Sequence, residues 1–175
     1  GLTAICIGID HGWISRIAGG ERVLRALTTM WEKPQGRGNQ GTIGYKGFFY
    51  HFLDMNSGNR VWNCELSSVD TAWLLAGIIY AKEFFSQLDD QEKQIRALAD
   101  SIYYRVDWNW MRNFQPVVLM GWHPESGFLS ASWYGYNEAM LLYILGLGSP
   151  TFPLPASCWA AWTSGYSWQT HYSYS

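Results

Sequence analysis

The sequence predicts a mainly α fold in two layers, an α/α barrel of alternating inner and outer helices with β-hairpin loops. Three observations predict it. Two helical stretches, "VDTAWLLAGIIYAKEFF" and "YGYNEAMLLYILGLG", are apolar on nearly every face, the pattern of a helix enclosed by neighbours. Between them, "DDQEKQIRALADSIYYRVDW" carries one apolar stripe (Ile95, Leu98, Ala99, Ile102, Val106) and a charged opposite face, the pattern of an outer helix. A hairpin pattern precedes each enclosed helix, so hairpin plus buried helix occurs twice, as a repeat of plan more than of letters.

Residues 2–14 are an apolar stretch broken by Asp10, His11 and Gly12, with helical signal from about its start. Gly19-Gly20-Glu21 is expected to open the next helix, with Val23, Leu24, Leu27, Met30 and Trp31 at helical spacing and Pro34 as its stop. Residues 35–47, rich in glycine and polar side chains, read as a loop. "GFFYHFLD" reads as a strand, "MNSGNR" as a turn and Val61-Trp62 as the return strand. Ser67 to Asp70 match a capping box with Ser67 as N-cap, placing a helix start there. In the second half, "PVVLMGWHPESGFLSASW" is a hairpin turning at 124–127, and Gly148-Ser149-Pro150 ends the helix after it.

At 175 residues the chain is long enough to bury a real core, and 48% apolar content argues against disorder. Charged residues are only 15%, with a formal net charge of -2 and no block of like charges, which argues against a phosphate-tracking nucleic-acid surface. No apolar run approaches the roughly 18 residues of a membrane span, and no signal-peptide pattern follows Gly1. Cys6, Cys64 and Cys158 are odd in number and widely spaced, so each reads as a small buried apolar group. His11, His51, His123 and His171 lack metal-ligand spacing and read as hydrogen-bonded packing residues. No nucleophile elbow, Walker loop, zinc-protease or dinucleotide motif occurs.

Aromatics reach 17%, with 11 Trp and 11 Tyr. Such rings present a flat apolar face and a polar handle, which suits a glycan cleft. Acids sit at the starts of both enclosed helices: Glu65 and Asp70 around Ser67, and Glu138 beside Asn137. A helix N-terminus stabilises a carboxylate, so Asp70 as a capping acid and Glu138 as a dipole-matched one are the competing readings. Glu65, in the weakly charged "VWNCEL", competes with a plain surface role and has only Arg60 nearby as a compensating charge. Asp54 and Glu125 fall at turns, where acids serve the backbone. Glu125 also has Trp122 and His123 beside it, a ring, an imidazole and a carboxylate that together suit a sugar. Trp133, Tyr134 and Tyr136 join Asp54, Trp122, His123 and Glu125 as candidate substrate contacts. The tail aromatics Trp159, Trp162, Tyr166, Trp168 and Tyr172, set among small residues, read as a loop lining a cleft. Glycoside hydrolysis needs two carboxyl groups, and burial among rings is expected to raise the pKa of one.

"GFFYHFLDMNSGNRVWNCELSSVDTAWLLAG", "YYRVDWNWM", "GWHPESGF" and "WYGYNEAMLLYILGLGSPTFPLP" resemble the bacterial glucoamylase-like domain family, which includes the endo-β-1,2-glucanases of glycoside hydrolase family 144. The resemblance covers essentially the whole chain. It implies a single-domain (α/α)6 barrel and hydrolysis of an oligo- or polysaccharide, β-1,2-glucan, with inversion and no cofactor. It also implies a periplasmic or secreted protein. Glu65, Asp70 and Glu138 are the acids it carries over as catalytic, with Glu125 beside them. Twelve helices make such a barrel and about five are readable, so residues 1–175 are expected to be part of one barrel domain without its C-terminal half. A non-catalytic glycan-binding module, a transglycosylase of the same fold and a structural helical domain are the alternatives.

Overall fold

A computed structural model describes residues 1–165. Helix α1 (Leu2–Asp10) is followed by α2 (Arg16–Glu32), strands β1 (Gly44–Tyr45), β2 (Phe48–Phe49) and β3 (Leu66–Ser67), and helices α3 (Ser68–Phe84) and α4 (Asp90–Tyr104). Strands β4 (Gly121–His123) and β5 (Gly127–Phe128) and helices α5 (Met140–Leu147) and α6 (Ser157–Thr163) complete the described chain.

The two layers are present and follow chain order. The inner helices α1, α3 and α5 pack side by side, with α3 in the middle. The outer helices α2 and α4 pack on each other, and each also covers its inner partner, α2 on α1 and α4 on α3. This alternation is a partial α/α barrel. Its outer layer is amphipathic as expected: α4 buries Ile95, Ala99 and Ile102, and of its charged residues only Glu92 is buried with them. No helix among the described residues is long and apolar enough to cross a membrane.

Helix α2 starts earlier than expected. Ser15 is the N-cap, its hydroxyl accepting from Ala18 N at 3.2 Å, and Gly19 and Gly20 lie inside the helix. Both are there for close approach: a Cβ on Gly19 would lie 2.3 Å from Ile9 Cδ1 of α1, and one on Gly20 would lie 2.3 Å from Gln91 of α4. The inner helices are also not enclosed on every side within this chain. Trp73 and Tyr80 of α3, Ile7 of α1, and Met140 and Ile144 of α5 are exposed. Those apolar faces lie on the inner layer, where an α/α barrel closes on itself.

The hairpins differ most from expectation. β1 and β2 form a short hairpin inside the region read as loop and strand, and Val61-Trp62 is no strand. Residues 52–61 do turn back around 55–60 as expected, but the arms meet only through one antiparallel bridge, Leu53 to Arg60, with Asp54 N donating to Asn59 O at 2.8 Å and Val61 N to Phe52 O at 3.3 Å. The return strand is instead β3, which pairs antiparallel with β4 of the second hairpin, Leu66 opposite Trp122. The two hairpin regions therefore share one sheet, which a bridge from Tyr50 to Leu66 extends. That sheet sits against the N-terminus of α3. Ser68 Oγ donates to Leu119 O (2.8 Å), and Thr71 Oγ1 accepts from Phe49 N (3.0 Å). The three cysteines are free and buried, as expected.

Candidate active site

The capping box fixes where α3 begins. Ser67 Oγ accepts from Asp70 N at 3.2 Å, so the helix starts directly after β3. The Asp70 carboxylate is thereby aimed outward from the first turn, while Glu65 leaves the strand one residue before β3. Sheet register decides what Glu65 meets. With Tyr50 opposite Leu66 and Leu66 opposite Trp122, the row one step along is His51, Glu65 and His123, on one face of the sheet.

His51 sits between the two acids. Its Nδ1 lies 2.9 Å from Glu65 Oε1 and its Nε2 lies 3.5 Å from Asp70 Oδ2. Adding the width of an imidazole puts those carboxylate oxygens at most about 9 Å apart, close enough for both to face one glycosidic bond. Phe52 stacks flat on His51 (centroids 4.2 Å, interplanar 7°) and Trp62 meets Phe52 edge-on at 5.1 Å. Gly121 leaves space for Glu65: a Cβ there would lie 2.9 Å from Glu65 Cγ and 2.4 Å from Leu66 O.

Glu65 does not have the raised pKa expected of an acid among rings. Burial pushes it up, but hydrogen bonding from its own backbone N–H and from His51, with the nearby charge of His51 and His123, outweighs that and holds it below the ordinary carboxylate range. It is an anion at neutral pH.

Glu125 is committed elsewhere. It forms a two-pronged ion pair with Arg60 at 2.6 and 3.0 Å, which also holds its pKa down. The Arg60 side chain is buried, lies over the Tyr50 ring, donates to Cys64 O at 2.6 Å and approaches His123 Nδ1 at 3.3 Å. Arg60 thus compensates Glu125, not Glu65, and ties the β4–β5 turn to the turn at 52–61. Asp54 is a turn acid: its Oδ1 accepts from Asn56 N, Ser57 N and Ser57 Oγ, and these bonds lower its pKa.

The remaining candidates divide by burial. Trp122, 4% exposed, packs on Tyr45 and Trp110, so it is a core ring. Trp133 is buried too, its indole donating to Ser68 Oγ at 2.9 Å, which fixes the chain before α5 against the start of α3. Tyr134 and Tyr136 are exposed; Tyr134 pairs with Ser164 through its hydroxyl and Tyr136 stacks loosely over Trp162. Glu138 is exposed in a turn two residues ahead of α5, and no hydrogen bond or ion pair holds it among the described residues. It is therefore outside the first turn of α5 and is not brought into contact with Glu65 or Asp70. Of the tail aromatics, Trp159 and Trp162 lie on α6, with Trp162 buried against Tyr143, a helix where a loop was expected. Tyr166, Trp168 and Tyr172 lie outside the described residues.

His51, Phe52 and Trp62 are the site neighbours that sequence reasoning missed. The one available signal was the polar, glycine-containing turn after "GFFYHFLD", which brings Arg60 and Trp62 back towards His51.

Residues 130–175 match the family model Glycoamylase, described as "Putative glucoamylase". The exo-β-1,2-glucooligosaccharide sophorohydrolase (non-reducing end) of Parabacteroides distasonis is 29% identical over 98% of this chain. The chain is thus similar to a glucoamylase-like family model over residues 130–175 and to this sophorohydrolase over nearly its whole length. An endo-β-1,2-glucanase from Chitinophaga pinensis, solved with sophorotriose and glucose, superposes with a TM-score of 0.83 at 26% identity, over 94% of this chain and 39% of its own. A β-1,2-glucanase from Parabacteroides distasonis gives 0.82 at 26% identity, over 93% of this chain and 23% of its own. The chain spans about a quarter of the sophorohydrolase, 24% of its length.

Proposed function

We propose that this chain forms one wall of the sugar cleft of a β-1,2-glucan hydrolase, as part of a single barrel domain. The observation that carries the reading is the convergence of Glu65 and Asp70 on His51 at the start of an inner helix. Relatives named as β-1,2-glucan hydrolases support the substrate class. Inverting hydrolysis needs one carboxyl group to protonate the leaving oxygen and another to draw a proton from the attacking water. Glu65, held anionic, suits the second task or the stabilisation of positive charge on the sugar. The leaving-group proton then comes from another acid, and Asp70 and Glu138 are the candidates in this chain. The reading carries with it an exported protein, periplasmic or secreted, which cell fractionation tests.

The deciding experiment incubates the complete gene product with β-1,2-, β-1,3- and α-1,4-glucans and follows new reducing ends. Release from β-1,2-glucan alone is expected. Binding without release would make the protein a glycan-binding module. Products longer than, or cyclic relative to, the substrate would make it a transglycosylase.

A further inference from the structure

We propose that Trp62, backed by Phe52, is a stacking platform for a β-linked glucosyl ring held beside Glu65 and Asp70. The proposal rests on the glucan-hydrolase reading and adds a subsite to it. Trp62 is 81% exposed, and Phe52 is its only ring partner among the described residues. A lone exposed tryptophan needs no explanation when it sits on a loose surface. This one does not. Its backbone is in the left-handed region (φ 54°), as is that of Asn63 (φ 50°), a conformation bulky residues avoid. The conformation persists because its surroundings impose it. Buried Arg60 donates to Cys64 O at 2.6 Å, Cys64 N donates to Val61 O at 3.2 Å, and Phe52 N donates to Cys64 Sγ at 3.2 Å. A buried framework therefore fixes the backbone that presents this indole to solvent, and Phe52 backs the ring.

Its position gives the ring a use. Trp62 meets Phe52, Phe52 lies flat on His51, and His51 contacts both carboxylates. Apolar rings thus adjoin acceptors that are charged or hydrogen-bonding. A β-glucosyl unit has the matching form, with C–H groups on its faces and hydroxyls around its rim. A ring carried on a constrained backbone and backed by a neighbour also loses less freedom when a sugar stacks on it than one on a mobile loop does.

The test uses the complete gene product acting on β-1,2-glucan, with Trp62→Ala and Trp62→Tyr. Trp62→Ala is expected to raise KM about tenfold, more than it changes kcat, and Trp62→Tyr, which restores a ring face, to recover most of that loss. An unchanged KM in Trp62→Ala overturns the platform, whether or not Tm falls. Equal KM increases in both variants also overturn it. A wild-type protein inactive on β-1,2-glucan is a different failure: it removes the functional reading, and the ligand proposed here with it.

Discussion

Four carboxylates that look alike in the sequence have separate fates at the level of single residues. Glu65 is anionic and next to His51, so Glu65→Gln in the complete gene product should cut turnover on β-1,2-glucan by about a hundredfold or more, with Tm little changed. Steady-state kinetics beside a melting curve checks this; near-wild-type turnover would remove Glu65 from the mechanism. Glu125→Gln should do the opposite. It leaves the buried Arg60 guanidinium without its counter-charge, and the cost is about 1–2 kcal/mol, less than for a fully buried pair because Glu125 faces solvent. A lower midpoint in urea, with a smaller loss of turnover than Glu65→Gln causes, is the expected result. Asp54 serves its own turn, and Asp70 shares His51 with Glu65. The capping pattern made Asp70 and Glu65 legible beforehand, because Ser67 fixes a helix start from four consecutive letters. His51 was not legible, since its partners depend on which strands pair.

Strand pairing is the element-level feature that sequence periodicity conveyed least. β3 and β5 are two residues long, too short for an alternating pattern, and β3 pairs with a strand beyond α3 and α4 instead of with its neighbour. The helices were easier, because their apolar stripes extend over many residues. What joins the outer pair is an ion pair that no local pattern announces. Arg16 at the start of α2 bonds Glu92 in the first turn of α4 at 2.6 and 3.0 Å, and Glu92 also accepts from Gln87 N. The Arg16 hydrogen bond, against the opposing effect of burial, holds Glu92 below the ordinary carboxylate range. A depressed folded-state pKa means that the unfolded chain takes up protons first as pH falls. The stabilisation is then complete above the unfolded pKa and is lost as pH drops through the folded one. Glu92→Gln should therefore cost about 2 kcal/mol at neutral pH, and the gap from wild type should close progressively below about pH 4. Denaturant titrations at both pH values measure it; a gap independent of pH would assign the loss to packing.

The molecule as a whole has an apolar side that its own described residues leave uncovered. The alternation of layers was readable because enclosed and half-exposed helices differ in composition. Complete enclosure of the inner helices was expected from the same composition, and here it fails for a physical reason: apolar letters state that a face prefers burial without naming what buries it. Trp73, 55% exposed, and Tyr80 stand on α3, with Ile144 and Met140 on α5. A barrel closed over α1, α3 and α5 would cover these side chains. Two measurements on one pair of substitutions test this. In residues 1–175 produced alone, Trp73→Gln with Tyr80→Gln should shift light scattering from associated species towards monomer, since the exposed patch drives association. In the complete gene product the same pair should cost about 3 kcal/mol or more, as the loss of buried aromatic rings does. If the pair instead leaves the complete protein's stability unchanged, that face of α3 stays in solvent, and the barrel is not closed over it.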